Sequence, residues 1–76
     1  MRAKMKITSV TKNEHNETVH FEAVAASGYP ADGTDENNTY AKFTPSGQLS
    51  LTITNPDLLG KFEPGKEYYL DFSEAN

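Results

Sequence analysis

The chain contains no cysteine among its 76 residues. Disulfide bonds and thiolate metal sites are therefore excluded as braces for the fold. It also has no run close to the roughly 18 consecutive apolar residues that a membrane-spanning helix needs. The opening segment MRAKMKITSV lacks the continuous apolar stretch of a signal peptide. We therefore expect a protein that is kept in a cytoplasm and makes no membrane contact.

Catalytic motifs are missing as well. No nucleophile is paired with a base, no two carboxylates are placed as an acid and base pair, and there is no glycine-rich phosphate loop. The serines and threonines fall mostly at predicted turns or on outward strand positions, and so short a chain leaves little room for a water-excluding pocket. The sequence thus predicts a protein that is not an enzyme and uses no cofactor.

Apolar residues make up 36% of the chain, and the mean hydropathy is -0.69. A chain of this length buries only about 60% of its unfolded surface, so association with another chain is a common further brace. The apolar residues are concentrated in alternating segments, which predicts a single β domain over residues 1–76. The net charge of -4 argues against general nucleic-acid binding but leaves room for a local basic surface.

The clearest pattern lies in residues 44–62, TPSGQLSLTITNPDLLGKF. Leucine and isoleucine alternate with polar residues in QLSLTI, which indicates a strand with one buried face. After it, Asn55 can cap a helical turn, the following proline and aspartate suit its first positions, and Gly60 can end it. We expect one short helical turn at this point, not a long helix.

A hairpin is predicted around Thr44-Pro45-Ser46-Gly47. Proline has the φ that a type I turn requires, and glycine suits the left-handed position that follows. A three-residue loop with a glycine bulge makes residues 44 and 48 face each other, so the apolar residues of both arms share one side. The expected pairs are Phe43 with Leu49, Ala41 with Leu51 and Thr39 with Ile53 inside, and Lys42 with Ser50 and Tyr40 with Thr52 outside.

Residues 2–10 alternate too, with three apolar side chains on one face: Ala3, Met5 and Ile7. Val10 is out of phase with this set, which requires either a bulge near residues 8–9 or a strand that passes from one sheet face to the other. The polar residues 11–16 predict a turn, and residues 17–25 predict the second strand of a hairpin.

One long irregular segment, residues 26–38, follows that hairpin and is rich in Gly, Pro, Asp and Asn. A second Pro-Gly turn at 63–66 leads into a last strand at 67–72. Five short strands joined by turns predict an all-β fold with one short helical turn, either a small five-stranded antiparallel barrel or a compact sandwich of OB or SH3 size.

The first candidate site is an outward basic stripe of Arg2, Lys4 and Lys6, spaced about 7 Å apart along a strand. This spacing is close to the phosphate repeat of a nucleic acid, and Tyr40 or Tyr69 on a neighbouring face would add a stacking platform for single-stranded bases. The alternative, which we favour, is an edge strand whose lysines prevent edge-to-edge pairing.

A second candidate is the acidic part of the long segment, where Asp32, Asp35, Glu36 and Asn37 could offer oxygen ligands to calcium. Gly33 follows Asp32 directly, and no glutamate stands at the distance that an EF-hand requires. A solvated turn is therefore the favoured interpretation.

The two histidines, His15 and His20, flank a predicted turn and have Glu14, Glu17 and Glu22 nearby. Two histidines and a carboxylate can bind zinc. The spacing matches no known zinc motif, so we predict no metal site and two exposed histidines instead.

Three tyrosines form the remaining candidate: Tyr29, Tyr40 and Tyr69. Each is predicted to be exposed or partly exposed, and tyrosine is enriched in protein interfaces. The alternative, left open here, is that Tyr40 and Tyr69 cover the second face of a closed barrel.

The order of several motifs resembles a group of short proteins encoded by tailed bacteriophages. These motifs are TPSG at 44–47, LxLxI at 49–53, NP at 55–56 and FxPGKxYY at 62–69. The similarity covers the C-terminal two thirds and, more weakly, the basic opening RAK. The resemblance implies a phage origin and a bacterial host, and it carries no catalytic residues to this chain.

Together these features predict a non-enzymatic phage accessory protein, located in the host cytoplasm or the virion. It would bind another protein, a host or phage factor, or a second copy of itself, through the Tyr29 loop and an exposed sheet face. The alternative function is that of a small β-barrel that binds single-stranded nucleic acid or a nucleotide. The residues for this alternative are Arg2, Lys4, Lys6 and Tyr69.

Overall fold

The computed structural model describes all 76 residues and contains four strands. They are β1 (Arg2–Lys12), β2 (Glu17–Ala23), β3 (Gln48–Ile53) and β4 (Glu67–Asp71). All neighbours are antiparallel, and the order in the sheet is β3-β2-β1-β4. This is Greek-key order, because the fourth strand returns to lie beside the first. The predicted all-β class is confirmed.

The predicted closure into a five-stranded barrel is wrong. The sheet is open, with β3 at one edge and β4 at the other, and the molecule measures 48 × 32 × 15 Å. The four strands form one sheet, so the alternative of a compact sandwich is not present either, and irregular chain segments cover one face of this sheet.

Of the two explanations for the phase of Val10, the structure has the bulge. Ile7 is paired with Phe21, but the next pair joins Ser9 to His20, so one extra residue stands in β1. The extra residue returns Val10 to the same face as Ile7, opposite Val19. The phase change in the sequence therefore marks a bulge and not a change of sheet face.

The predicted hairpin between residues 39–43 and β3 is wrong. β3 pairs with β2 instead, and this places Leu49 opposite Phe21 and Leu51 opposite Val19. Residues 39–43 form no strand, and Phe43 at their end has a φ of 62°, in the left-handed region that strands do not use. An alternating pattern shows which face of a strand is apolar but not which strand is its neighbour.

Phe43 instead folds back on the long segment before it. Its amide donates to the carbonyl of Gly33 at 2.8 Å, and an isolated bridge joins Thr34 to Lys42. A Cβ on Gly33 would lie 2.5 Å from the Phe43 ring, so only glycine permits this contact. Gly47, expected to be left-handed, is not among the residues with positive φ.

The crossover from β3 to β4, residues 54–66, runs beneath one face of the sheet. Asn55 accepts a hydrogen bond from the Asp57 amide at 3.0 Å, and Gly60 has a φ of 78°, so the predicted cap and the predicted glycine stop are both present. The segment between them consists of hydrogen-bonded turns and not the predicted helical turn. The Pro-Gly turn at 63–66 forms as predicted, with the Lys66 amide donating to the Glu63 carbonyl.

Five buried residues form the core on the inner face of the sheet: Ala3, Met5, Ile7, Val19 and Phe21. Two chain segments cover this face. The crossover is tied to it where the Gly60 amide donates to the side chain of Glu17 at 3.1 Å. The long connection between β2 and β3, residues 24–47, contributes Tyr40, which packs against the core. The structure has no helix of the length and hydropathy needed to span a membrane.

Candidate binding surfaces

The outer face of the sheet brings the predicted basic stripe and Tyr69 together. Lys4 is paired directly with Tyr69 across β1 and β4. The Arg2 guanidinium carbon lies 4.7 Å from the Tyr69 ring centre, and Lys4 Nζ lies 5.9 Å from it. The cations therefore stack on the ring through cation–π contacts. Tyr40, the other tyrosine considered for this platform, packs against the core on the opposite face.

Carboxylates of β4 pair with two of these cations. Arg2 donates to Asp71 through two nitrogens, at 2.8 and 3.2 Å, and Lys4 Nζ lies 3.4 Å from Glu67. The side-chain hydrogen bond and the opposite charge raise the pKa of Arg2, and the hydrogen bond from Arg2 lowers the pKa of Asp71. The stripe is thus largely neutralised within the sheet.

β1, which carries this stripe, lies in the interior of the sheet between β2 and β4. The interpretation of the lysines as edge guards is therefore wrong. Lys6, the third cation, stands between two glutamates in register, Glu22 on β2 and Glu67 on β4. Alternation of charge across the strands explains the stripe, because opposite charges on neighbouring strands attract.

The acidic part of the long connection divides in two: Asp32 and Glu36 are exposed, as predicted for a solvated turn, whereas Asp35 is the centre of a buried hydrogen-bond network. Asp35 is only 5% exposed. Its carboxylate accepts hydrogen bonds from the Tyr29 hydroxyl, the amides of Asn37 and Asn38, and the Asn38 side chain. Burial raises the pKa of Asp35, but these hydrogen bonds together outweigh it and hold the pKa below its usual value. Asp32, by contrast, is exposed and caps Thr34 locally.

Asn38 is the residue that sequence reasoning missed. Its side chain is fully buried and stands between two strands, accepting a hydrogen bond from the Lys4 amide at 2.9 Å and donating to the Val24 carbonyl at 2.8 Å. The side-chain amide thus replaces one rung of the β1–β2 ladder. This insertion explains why β2 ends at Ala23 and not at residue 25 as predicted. No periodicity marks it, because a single asparagine in a polar loop looks like a turn residue.

The three predicted interface tyrosines have three different environments. Tyr29 is half-buried, accepts a hydrogen bond from the Ala26 amide and donates to Asp35. Tyr40 packs against the core, and its buried hydroxyl has no hydrogen-bond partner. Tyr69 is 53% exposed, and its hydroxyl donates to Asn37 at 3.0 Å. The three do not form one surface.

The histidines lie apart. His15 is exposed in the β1–β2 turn beside Glu14, and His20 Nδ1 lies 3.5 Å from the Ser50 hydroxyl on the outer face. No three histidine or carboxylate side chains come together as metal ligands. His20 and Ser50 help to line a shallow outer-face depression of about 500 Å³, most of whose lining is polar.

The inner face is covered unevenly. We call the region around Met5 and Tyr40, beneath residues 24–47, the closed end. We call the region around Leu51 and Leu58, at the β3 side of the crossover, the open end. Leu51 is paired with fully buried Val19 but is itself 43% exposed, and Leu58 is 41% exposed. Leu51 is therefore an apolar side chain next to the core that is open to solvent, and Leu58 is a second exposed leucine on the segment that follows β3.

No protein-family model matches this chain, and comparisons with curated proteins and with solved structures find no match.

Proposed function

We propose that this chain is a non-enzymatic bacteriophage accessory protein that acts by binding another protein chain, either a host or phage factor or a second copy of itself. The observation that carries this proposal is the open end. Leu51, 43% exposed, lies opposite the core residue Val19 on the edge strand β3, and the crossover that follows this strand adds Leu58, which is 41% exposed. Apolar surface that is continuous with a core and open to water is typical of protein interaction sites.

The tyrosines support a narrower role than the sequence suggested. Tyr29 and Tyr40 hold the long connection against the sheet, so a partner that used their rings would have to displace this segment. Tyr69 and Phe43 remain exposed, at 53% and 51%. We therefore place the main contact at the open end and assign these two rings no part in it.

The phage assignment depends on the resemblance of the TPSG, LxLxI, NP and FxPGKxYY motifs to short proteins of tailed phages. It predicts that the protein is present in the infected bacterial cytoplasm or the virion. Immunodetection in purified virions, and in the infected-cell lysate from which the virions have been removed, distinguishes these two locations.

The proposed function is tested by capture from a lysate of phage-infected bacteria, with three immobilised forms of the protein. Wild type is compared with Leu51→Gln, which makes the open end polar, and with Phe72→Gln, which makes a similar change at a residue that is 54% exposed on β4's side of the sheet. We expect a partner, identified by mass spectrometry, to be retained by wild type and Phe72→Gln and lost with Leu51→Gln. Equal retention by all three forms would contradict the proposed surface.

The outer face supports a second candidate, binding of single-stranded nucleic acid or a nucleotide. Arg2 and Lys4 stack on the exposed ring of Tyr69, an arrangement that also suits a base and its phosphate. Their ion pairs with Asp71 and Glu67 oppose it. Fluorescence anisotropy with a labelled oligonucleotide at low salt, where phosphate contacts are strongest, tests this candidate. Absence of binding by both wild type and Asp71→Asn, which frees Arg2, would exclude it.

A further inference from the structure

The two edges of the sheet differ in charge. The exposed edge strand β4 has the sequence EYYLD, with an acidic residue at each end. The other edge strand, β3, has the sequence QLSLTI, with no charged residue and no proline. Charges, prolines and bulges are the usual protection of an edge strand against pairing with another strand. β3 has none of these.

The unpaired backbone groups of β3 can be assigned from the ladder. The Ala23 amide donates to the Gly47 carbonyl, and pairing continues through Phe21 with Leu49 and Val19 with Leu51. Backbone groups of successive residues point to opposite sides of a strand. The N–H and C=O groups of Gln48, Ser50 and Thr52 therefore point away from β2, toward the free edge.

We propose that a second copy of this chain pairs with β3 in antiparallel orientation, so that two sheets join into one continuous eight-stranded sheet around a two-fold axis. This proposal rests on the proposed function and names the second copy as the partner. A second copy fits this edge because β3 is complementary to itself in the register described next.

The register follows from the pleat. Residues directly opposite each other share a face, so in a two-fold pair the sum of their numbers must be even. An axis at Leu51 places Leu51 opposite its counterpart and Leu49 opposite Ile53 of the second copy. The outer face then joins Ser50 to Thr52. An axis at Ser50 would instead leave Ile53 opposite a glycine, so the axis at Leu51 buries more apolar surface.

Charge favours pairing of two β3 edges over pairing of two β4 edges. The whole stretch from Phe43 to Pro56 is uncharged, so two copies meet along β3 without repulsion although each carries a net charge of -4. Two β4 edges would bring Glu67 and Asp71 of both copies together. Like charges directly opposite across a sheet are destabilising.

The open end gives the pairing its apolar contribution. Leu51, 43% exposed in one copy, lies at the axis and becomes covered by its counterpart. Pairing of two six-residue strands buries less surface than the roughly 1,600 Å² that a standard stable interface buries. We therefore expect a reversible dimer whose population depends on protein concentration.

The first experiment measures mass by sedimentation velocity and light scattering, from low micromolar to near-millimolar protein, for wild type, Ser50→Pro and Ser50→Ala. Proline removes the free-edge N–H of residue 50, which β2 does not use, whereas alanine keeps it. A dimer contains residue 50 twice, so two hydrogen bonds are lost and we expect the dissociation constant to rise about tenfold or more. Circular dichroism checks that Ser50→Pro remains folded.

A second experiment does not depend on that variant. Because the chain has no cysteine, single cysteine variants report only on the new contact. Leu51→Cys places two thiols opposite each other on the axis at a non-hydrogen-bonded pair, whose spacing suits a disulfide. We expect rapid oxidation to a covalent dimer, and much slower oxidation of Ser50→Cys, which faces Thr52.

The outcomes are distinct for the two proposals. A wild type that stays monomeric at all concentrations, equal dimerisation of Ser50→Pro and Ser50→Ala, or faster cross-linking of Ser50→Cys than of Leu51→Cys would overturn the proposed dimer. A monomeric protein that still retains a partner through Leu51 would overturn the dimer alone and leave the proposed function in place. A dimer that retains no other partner supports the second copy as the protein that this chain binds.

Discussion

The closed end and the open end of the inner face are covered by segments of very different construction. At the closed end, residues 24–47 are held by a buried network in which Asp35 and Asn38 each make several hydrogen bonds. The crossover makes one side-chain hydrogen bond to the sheet, from the Gly60 amide to Glu17. Its backbone is bonded to the sheet at its far end, next to β4, where the Gly65 amide donates to the Ile7 carbonyl and the Ile7 amide donates to the Lys66 carbonyl. The part of the crossover next to β3 therefore has far fewer side-chain hydrogen bonds to the sheet than residues 24–47 have.

This difference separates structural residues from surface available for binding. The polar residues of the closed end, which resemble a calcium site or an exposed loop in sequence, are used inside the molecule. Leu51 at the open end, which the sequence places on the buried face of its strand, is 43% exposed. The variants below test whether the two ends differ as strongly in energy as they do in construction.

The largest effect is expected at the closed end, for Asn38→Ala. The substitution leaves the Lys4 amide and the Val24 carbonyl without their partner, and each buried unsatisfied group costs about 1–3 kcal/mol. We expect a loss of about 3 kcal/mol in the free energy of unfolding and a fall in Tm of roughly 15 °C. Urea and thermal unfolding followed by circular dichroism measure both.

Asn37→Ala is the matched control for this variant. The side chain of Asn37 accepts one hydrogen bond, from the Tyr69 hydroxyl at an exposed position, so its loss should change stability by no more than about 1 kcal/mol. Equal destabilisation by the two variants would show that Asn38 does not replace a rung of the ladder.

In the crossover we expect a smaller loss, for Phe62→Ala on the β4 side of the sheet. The ring lies 5.7 Å from that of Tyr68 and packs against the core, but it is only half-buried. Removal should cost about 2 kcal/mol, below the range for fully buried phenylalanine. Leu58→Ala, at a residue that is 41% exposed, should cost less than about 1 kcal/mol. If Leu58→Ala were as costly as Phe62→Ala, Leu58 would belong to the core and the open end would be closed.

The next effect is a loss of stability in acid, which we expect from the buried carboxylate of Asp35 at the closed end. Hydrogen bonds hold the folded-state pKa of Asp35 below its usual 3.8 in spite of burial, which raises it. A carboxyl with a depressed pKa stabilises the folded state above its unfolded pKa, and this contribution is lost as the pH falls through the folded pKa. The free energy of unfolding should therefore decrease as the pH falls below about 4.

Chemical unfolding at a series of pH values between neutral and strongly acid solution measures this loss. Asp35→Asn cannot titrate at this position, so its stability should fall less steeply with acid than that of wild type. Glu36→Gln, at the exposed neighbour, should follow the wild-type slope. An unchanged slope in Asp35→Asn would assign the acid response to other carboxyls, of which Asp32 and Asp71 also have lowered pKa values.

The sequence predicted the strands better than it predicted their neighbours. Strand faces, the bulge before Val10, the Asn55 cap and the Gly60 stop all depend on interactions within a few residues, and each is present. The pairing of β3 with β2 depends on competition between distant strands, about which period and turn chemistry carry no information. The turn motif TPSG suits a hairpin, but Val19 and Phe21 offer β3 a more apolar partner than residues 39–43 do.

Burial of polar residues was equally beyond the reach of the sequence. Asp35 and Asn38 stand in a polar, glycine-rich segment whose composition is that of a solvated loop. They are buried because they lie where β2 diverges from β1, and this place exists only once the sheet has assembled. The sequence did name Tyr69, as an alternative to Tyr40, beside the basic stripe, and the structure places it in contact with Arg2, 67 positions away in the chain.

The smallest effect is expected from Tyr40→Phe, at the one hydroxyl of the closed end that has no partner. Burial raises the pKa of Tyr40. Its hydroxyl is shielded from solvent and neither donates nor accepts a hydrogen bond. Removing an unsatisfied buried hydroxyl is neutral or favourable, so the free energy of unfolding should rise or stay within about 0.5 kcal/mol of wild type. Tyr29→Phe makes the same change at a hydroxyl with two partners, Ala26 and Asp35, and should lower stability. Thermal unfolding measures the stability of both variants. If Tyr40→Phe lost as much stability as Tyr29→Phe, the Tyr40 hydroxyl would be hydrogen-bonded in solution. The hydrogen-bond network of the closed end would then extend to the Tyr40 ring on the core.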